Sequence, residues 1–490
     1  MTSSKSTKRA LITSALAILM CAAMLIGATF AWFTDTASTG VNKIVSGNLK
    51  VDIIGADSDS HIEKLNFTKA ATTDAEAGAE ILWEPGCRYL TEGFRIANKG
   101  NLALKWKAQV NTGTTAANEG NFDLLDVIDF YLVTKAADGT ETETALDEFT
   151  GNLKKTETSD VYYIKGVMQT TAGNDYQGLT LDGISITVVA TQDTVESDSF
   201  DNQYDKDAEY PILVTTGDEL QAIVSNATAP VNIVLTNSIT TNNFVIPEDK
   251  DVTLDLNGRT VTNAGSHTIL NKGHLTLTDS SADKSGKIIS LKGNTAALRN
   301  GDNAVCVVEG GTISRDGANG NTWHVVENFG KMTFNGGKVV LKNGNGFAIT
   351  NGWNYFDPGA STTHAVMEIN ALELDTDSSG IKNCRYGDLT VNDVTVTSTG
   401  YWALSNDYLG TAVINGGTLT SNSFKAVSNG AAMTVNGGTF DGTQGFFVQS
   451  YATSTVLNGG TFANMNVDAL SSYVGTGHTA QQSGTSVIIK

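Results

Sequence analysis

The sequence is poor in proline, in cysteine and in basic residues, and each shortage narrows what the chain can be. Its 490 residues include five Pro and four Cys, against 50 Gly, and long helical tracts rich in Leu, Glu and Lys are missing. Thr, Asn and Val are abundant instead, which favours many short strands joined by turns. A chain of this length also exceeds one ordinary core. The composition therefore predicts an all-β protein with two domains.

Acidic residues outnumber basic ones, so that the formal net charge is −20. Nucleic acids and anionic membrane surfaces bind basic patches, and the sequence therefore predicts neither as a partner. Beyond the N-terminal segment the cysteines are Cys87, Cys306 and Cys384. Their odd number and wide spacing exclude a disulfide framework and a metal knuckle, so we expect buried free thiols and no cofactor.

The N-terminus carries a targeting signal. A basic segment ending at Arg9 precedes the apolar residues 10–30, and the small residues Thr29 and Ala31 fit the specificity of a signal peptidase. We predict a signal peptide over residues 1–31, cleavage between Ala31 and Trp32, and contact with the membrane only before that cleavage. An uncleaved anchor remains the alternative, because the apolar run is about long enough to span a bilayer.

Residues 32–192 alternate segments of strand length with turns rich in Gly, Asn, Thr and Asp. Evenly spaced short strands of this kind predict a two-sheet sandwich. The segments lie at residues 47–53, 93–98, 102–110, 128–134 and 184–190. The next stretch, 193–209, is acidic and nearly free of aliphatic side chains, and we predict that it is a linker.

Five short segments, in order, resemble the TasA/camelysin family. They are AWFTD at 31–35, SGNLKV at 46–51, EPG at 84–86, FRIANKGNLA at 94–103 and VATQ at 189–192. Members of that family are exported by a dedicated signal peptidase and have a jelly-roll sandwich. The resemblance implies both properties for this chain.

The resemblance also implies two different functions. TasA-like proteins form extracellular biofilm fibres in which a freed N-terminal strand completes the sheet of a neighbour, whereas camelysin-like members are classed as metallopeptidases. The sequence contains no HExxH motif, and residues 32–192 contain the single His61, which favours the first function. The assembly strand would then lie at 33–41, including Phe33, Thr34, Asp35 and Val41. It would pair with the exposed edge of a second copy or a related fibre subunit, or else within its own sandwich.

The second half of the chain repeats a short motif. VINGGTL at 413–419 returns as TVNGGTF at 434–440 and VLNGGTF at 456–462. The Asn that opens each motif or its degenerate form lies at Asn335, Asn370, Asn392, Asn415, Asn436 and Asn458, and a second series precedes it at Asn271, Asn300, Asn328, Asn383, Asn406 and Asn429. Steps of about 22 residues predict a single-stranded parallel β-helix over 210–490, with each series stacked as a ladder of side-chain hydrogen bonds.

Both ends of such a helix need a cap. Thr216 and Glu219 form a capping-box pattern, which predicts a short helix over the N-terminal end. Residues 467–490 are expected to close the other end, with the final SVIIK as a last strand.

This half resembles the pectate-lyase-like right-handed β-helix proteins, which include surface adhesins and polysaccharide enzymes. The candidate acid and base residues are expected in turns on different coils, with no two carboxylates one coil apart: Arg299, Asp302, Asp316, His324, Glu327, Asp357, Arg385, Asp388 and Asp407. We therefore predict no catalytic residue and no metal ligand.

A loop that interrupts the repeat at 351–358 is aromatic and is expected to project. Together with aromatic residues on neighbouring coils it predicts a glycan-binding patch, because aromatic faces beside polar side chains bind sugars. Its members are Trp323, Trp353, Tyr355, Tyr401 and Trp402. The alternative is that these rings pack on one another and cover the flank of the coil.

These patterns favour a secreted structural protein or adhesin in the extracellular matrix or on the surface of a Gram-positive bacterium. Its partners would be itself or related fibre subunits, and possible further ligands are a glycan or a host-surface molecule. The alternatives are a β-helix polysaccharide lyase or hydrolase, or a camelysin-type metallopeptidase.

Overall fold

The computed structural model describes residues 48–62, 65–68, 81, 83–111, 114–115, 122–146, 149–182, 185–193, 209–263, 265–317, 323–353 and 364–490. The protein is all-β, with 6% helix and 50% strand. Residues 48–490 cluster as one compact unit. The predicted cleavage site Ala31–Trp32 and the predicted assembly strand 33–41 lie outside the described residues.

Antiparallel sheets make up the first part of this unit. Sheet 1 has seven strands: Val51–Gly55, Phe67–Thr68, Arg88–Thr91, Phe94–Asn98, Ile128–Lys135, Glu141–Ala145 and Tyr162–Met168. Sheet 2 has three strands, Leu104–Asn111, Phe149–Leu153 and Ser185–Gln192, and a two-stranded pair joins Thr114–Thr115 to Leu181–Asp182. Two 3-10 turns lie at Leu124–Asp126 and Asn174–Tyr176.

Strict alternation explains how sheets 1 and 2 pack. Every second residue of Leu104–Asn111 is buried, as expected for a strand with one face on a core. Trp106 of this strand belongs to the same apolar cluster as Phe94 and Ile96 of sheet 1. The two sheets therefore share one core.

The rest of the unit is a parallel β-solenoid of about 10 turns, with coils of about 23 residues. Each coil contributes one strand to each of three faces. Face 1 contains Ile212–Val214, Val231–Leu235, Asp251–Asp255, His274–Thr278, Val305–Val308, Lys331–Phe334, Ala365–Ile369, Gly387–Val391, Thr411–Ile414, Ala432–Val435 and Ser454–Leu457.

Face 2 contains Ile239–Thr241, Thr260–Asn263, Lys287–Ser290, Thr312–Asp316, Lys338–Lys342, Glu373–Thr376, Thr395–Ser398, Thr418–Ser421, Thr439–Asp441 and Gly460–Phe462, extended by the hairpin Ala480–Ser483 and Ser486–Ile489. Face 3 contains Val245–Ile246, Ile269–Asn271, Leu298–Asn300, Val326–Asn328, Phe347–Asn351, Ser379–Asn383, Leu404–Asn406, Lys425–Asn429 and Gln444–Val448. We call the turns between faces corner 1-2, corner 2-3 and corner 3-1.

Inward side chains stack in register along the solenoid. On face 1, for example, Leu254 pairs with Leu277, and Leu277 pairs with Val308 on the following coil. All three belong to one apolar cluster that continues from Val214 to Ile489. Burial of this column between stacked coils is the main stabilising contribution, since no single coil can bury its own inward face.

Different devices close the two ends. At the N-terminal end the helix α1 (Gly217–Asn226) is capped by the Thr216 hydroxyl, which accepts a hydrogen bond from the Glu219 amide at 3.2 Å. Gln221 of α1 donates to the Val245 carbonyl at 3.1 Å and accepts from the Val245 amide at 2.9 Å. At the other end a short helix α2 (Val467–Leu470) and a 3-10 turn at Ser471–Tyr473 precede the hairpin, whose last strand runs antiparallel to Gly460–Phe462.

The antiparallel sheets contact the first coils of the solenoid directly. The Asn111 side chain donates to the Thr236 carbonyl at 3.2 Å, and the Arg259 guanidinium donates to the Ser185 hydroxyl at 2.9 Å. These two bonds could not be predicted from the spacing of motifs in the sequence.

Candidate functional site

The first series of asparagines forms an exposed ladder at corner 1-2. Asn370 donates to Asn335, and the same contact repeats through Asn392, Asn415, Asn436 and Asn458 with N to O distances of 2.7–3.0 Å. Asn335 extends the ladder by donating to the Glu309 carboxylate at 2.8 Å. In this ladder each amide donates to the preceding coil.

The second series forms a buried ladder at the end of the face 3 strands, and here each amide donates to the following coil. The bonds run through Asn271, Asn300, Asn328, Asn351, Asn383, Asn406 and Asn429 with distances of 2.7–2.9 Å. These asparagines close face 3 strands instead of standing in turns. Asn351 was expected in a projecting loop, which is wrong: Asn351 is fully buried and is the last residue of a face 3 strand.

The buried ladder satisfies amide groups that would otherwise be costly to bury. A buried polar group without a partner loses roughly 1–3 kcal/mol, and the second ladder avoids this loss because each Nδ2 also reaches a backbone carbonyl, as Asn383 does to Thr411 at 3.0 Å. The amides are thus engaged with one another and hold the coils in register.

The outer surface of face 3 carries a row of charged and hydroxyl-bearing side chains. The residue that precedes each buried ladder asparagine points outward, which aligns Arg299, Glu327, Thr350, Lys382, Ser405 and Ser428 in one row across successive coils. Arg299 and Glu327 were expected in turns on different coils; they do lie on different coils, but their placement in turns is wrong. They are strand residues in direct register, and their position before Asn300 and Asn328 is the signal that identifies them.

Glu327 is 3% exposed although it points outward. Its carboxylate lies 3.2 Å from the Arg299 guanidinium and accepts a hydrogen bond from Trp323 Nε1 at 2.9 Å. Burial raises the pKa of Glu327, against the lowering effect of Arg299. A carboxyl group held this way keeps its proton to a higher pH than an exposed one.

A second charged pair lies further along the row, where Lys382 Nζ is 3.1 Å from the Asp407 carboxylate. Asp407 opens the corner 3-1 turn, and Tyr408 follows it. The charges of this pair also act on Tyr451: burial raises the pKa of Tyr451, the Asp407 charge raises it further, and Lys382 acts in the opposite direction. Tyr408 and Tyr451 are 55% and 54% exposed.

The predicted aromatic patch is divided between the two borders of face 3. Trp323, Tyr401 and Trp402 lie at corner 2-3, whereas Trp353 lies at corner 3-1. Trp323 and Trp402 stand three coils apart, or roughly 14 Å. Tyr355 lies outside the described residues.

Most of these rings pack on other aromatic rings. Trp402 and Tyr401 both contact Phe424, with ring centroids 5.2 and 6.0 Å apart, and Trp353 contacts Phe329 at 4.6 Å. The patch residues therefore form two separate groups and no single platform.

Two histidines tie neighbouring coils together at corner 2-3. His267 Nδ1 accepts from the Ala296 amide at 2.8 Å, and His324 Nδ1 accepts from the Phe347 amide at 3.1 Å. Burial lowers the pKa of both rings to about 4. The neutral ring is the form that can accept these bonds.

The remaining cysteines do not form disulfides. Cys306 and Cys384 are free and buried, and burial raises the pKa of each thiol to about 12. Cys87 is also free but is half-buried, so that its expected burial was wrong in degree.

Within the described ranges, no three His, Cys, Asp or Glu side chains come close enough to hold a metal ion. None of the helices in that part of the chain combines the length and the apolar character needed to cross a membrane. Comparison of the sequence and structure with protein-family models, with curated proteins and with solved structures gave no match.

Proposed function

We propose that the protein is a secreted structural protein of a Gram-positive cell surface or biofilm matrix. Its N-terminal region is a TasA/camelysin-like jelly-roll sandwich that joins a fibre by strand donation, and its right-handed solenoid is displayed as a stalk or adhesin.

One observation carries this proposal, the two asparagine ladders that run along the solenoid. Their side chains are engaged with one another from coil to coil, so they stiffen the coil stack and are not free to bind a ligand. With about 10 turns spaced about 4.8 Å apart, the stack is a rod of roughly 50 Å. A rigid rod attached to the antiparallel sheets is suited to displaying a binding surface.

The N-terminal sheets are compatible with the family resemblance. The segment FRIAN is the strand Phe94–Asn98 of sheet 1, and VATQ falls within the strand Ser185–Gln192 of sheet 2. Both segments border the core shared by the two sheets. Pairing of a neighbour's strand with such a sheet adds backbone hydrogen bonds and apolar burial together.

Electron microscopy of two purified forms tests the assembly. One form starts at Trp32 and the other at Ser46, and both are incubated over a range of concentrations and at neutral and acidic pH. We expect filaments from the longer form alone, because only that form carries residues 33–41. Monomers from both forms, or filaments from both, would contradict strand donation.

The buried Glu327 favours a second candidate, a polysaccharide hydrolase, because a raised pKa suits a general acid. Its geometry is incomplete: Asp407 lies three coils away, roughly 14 Å, against about 5–10 Å between the carboxyl groups of glycosidases. Release of reducing sugar by the wild type but not by Glu327→Gln would support it. A calcium-dependent unsaturated product would indicate a lyase instead, and chelator-sensitive cleavage of casein would indicate a metallopeptidase.

A further inference from the structure

We propose that Tyr408 and Tyr451, together with Asp407 and Lys382, bind an uncharged polysaccharide at corner 3-1 of the solenoid. This tyrosine site would supply the ligand of the displayed solenoid, and in that respect it rests on the function proposed above.

The ring of Tyr451 lies on the coil that follows Gly430 and presents an exposed aromatic face. This ring packs on Gly430, where an added Cβ would lie 2.7 Å from Tyr451 Cε2 and 3.2 Å from both Cζ and the hydroxyl oxygen. Gly430 occupies the turn position that Asp407 occupies one coil earlier, since Asn429 and Asn406 are in register. The absence of a side chain at Gly430 thus lets the ring reach back along the solenoid while 54% of Tyr451 stays exposed.

Tyr408 presents a second exposed ring, two coils before Tyr451. It follows Asp407, whose carboxylate accepts a hydrogen bond from the Tyr408 amide at 2.9 Å. Among the described residues neither Tyr408 nor Tyr451 has an aromatic partner. Exposed aromatic faces without a partner bind the apolar faces of sugar rings.

The polar groups beside Tyr408 match hydroxyl groups. The Asp407 carboxylate can accept hydrogen bonds and the Lys382 ammonium can donate them. The two side chains are 40% and 16% exposed, so that both remain accessible. Because they neutralise each other at 3.1 Å, the site has no net charge, and the chain as a whole carries −20. An anionic polymer would be repelled, and an uncharged one would not.

The site is elongated along the solenoid axis. Asp407 and Tyr408 belong to one coil, Gly430 to the next and Tyr451 to the one after, with about 4.8 Å between coils. An extended polymer can contact both rings and the charged pair at once, which a single small sugar cannot do.

Binding of purified full-length protein to insoluble and soluble polysaccharides tests this site. The uncharged probes are cellulose, chitin, β-1,3-glucan and α-mannan, and polygalacturonate and alginate are the anionic counterparts. The variants are Tyr408→Ala and Tyr451→Ala, with Leu291→Ala as the control of matched exposure: Leu291 is 53% exposed and lies at corner 2-3, on the opposite border of face 3. Far-UV circular dichroism verifies that each variant is folded.

We expect at least one uncharged polymer to bind. Each tyrosine-site variant should weaken that binding about tenfold or more, while Leu291→Ala changes it by about twofold or less. The proposal is overturned if no uncharged polymer binds, if binding is confined to the anionic polymers, or if Leu291→Ala loses as much as Tyr451→Ala. It is equally overturned if sedimentation shows that the tyrosines hold two copies of the chain together.

Filament formation by the wild-type protein, measured beside its polysaccharide binding, separates the two proposals. Filaments without polysaccharide binding would refute the tyrosine site and leave the assembly intact. Binding without filaments would refute the assembly and leave the site.

Discussion

The ring of Tyr451 packs against the backbone of Gly430. The contact is so close that an added Cβ at position 430 would lie 2.7 Å from Tyr451 Cε2. The two residues belong to neighbouring coils. Their contact therefore couples the turn geometry of one coil to the surface chemistry of the next.

Replacing Gly430 with Ala should displace the Tyr451 ring. We expect the free energy of unfolding to fall by about 1–3 kcal/mol from overpacking, as measured by urea denaturation. Gly173→Ala is the control, since the nearest atom to its added Cβ is Asp175 Oδ2 at 3.9 Å. The double variant Gly430→Ala/Tyr451→Ala should be as stable as Tyr451→Ala alone, because the clash is gone. A further loss in the double variant would show that the cost lies in the backbone.

The two ladders should differ in their contribution to stability. Asn351→Ala leaves the Asn383 Oδ1 and two carbonyls without a buried donor, which should cost about 3 kcal/mol. Asn415→Ala removes two exposed bonds, the one that Asn415 donates to Asn392 and the one that it accepts from Asn436. Water replaces both lost partners, so the cost should be about 1 kcal/mol or less. Equal losses in thermal or urea unfolding would contradict the role assigned to burial.

Acid should weaken corner 2-3. The pKa of His324 is lowered to about 4 in the folded protein and is near 6.5 when unfolded. Its stabilising effect is therefore fully present above pH 6.5 and is lost as the pH falls from 6.5 through 4, by roughly 3 kcal/mol. Lys382 and Arg315, which face the ring, add to the repulsion.

Glu327 acts in the opposite direction, because its pKa is raised and its protonation in acid stabilises the folded form relative to the unfolded one. Melting temperatures of the wild type and of His324→Gln between pH 7 and 4 measure the histidine effect, with the exposed His478→Gln as control. An identical pH dependence in wild type and His324→Gln would show that the ring does not titrate on unfolding.

Removing the Glu327 carboxylate should lower the free energy of unfolding, because Arg299 and Trp323 both interact with it. Glu327→Ala leaves a half-buried guanidinium and an indole N–H without their acceptor, and we expect a loss of about 3 kcal/mol. Glu327→Gln keeps an acceptor for Trp323, so it should lose less. If Glu327→Gln is the less stable variant in urea, the charge matters more than the hydrogen bond.

Regular spacing made the ladders predictable from the sequence. A step of about 22 residues brings Asn415 and Asn436 onto neighbouring coils whatever the details of each turn, and period-two alternation similarly located the strand at Leu104–Asn111. Asn351 was not recognised as a member of the buried ladder because the longest interval of that ladder follows it. The next two residues, Gly352 and Trp353, also have the composition of a loop.

The surface groupings were less predictable because they depend on register between coils. Arg299 and Glu327 are 28 residues apart, and only alignment on Asn300 and Asn328 shows that they are neighbours. Trp353 and Trp402 belong to different corners of the coil, which the order of residues along the chain does not reveal. The Tyr451 side chain points back over Gly430, and the periodicity of the sequence does not predict that direction.

The caps of the solenoid determine how the protein can grow. The Gln221 side chain takes both backbone bonds of Val245 that a further coil would make, and the C-terminal hairpin reverses strand direction after Gly460–Phe462. Each cap therefore closes one of the three faces to a parallel strand of another solenoid, face 3 at the N-terminal end and face 2 at the C-terminal end. A polymer that joins through other surfaces would carry the solenoids as side branches of one fixed length.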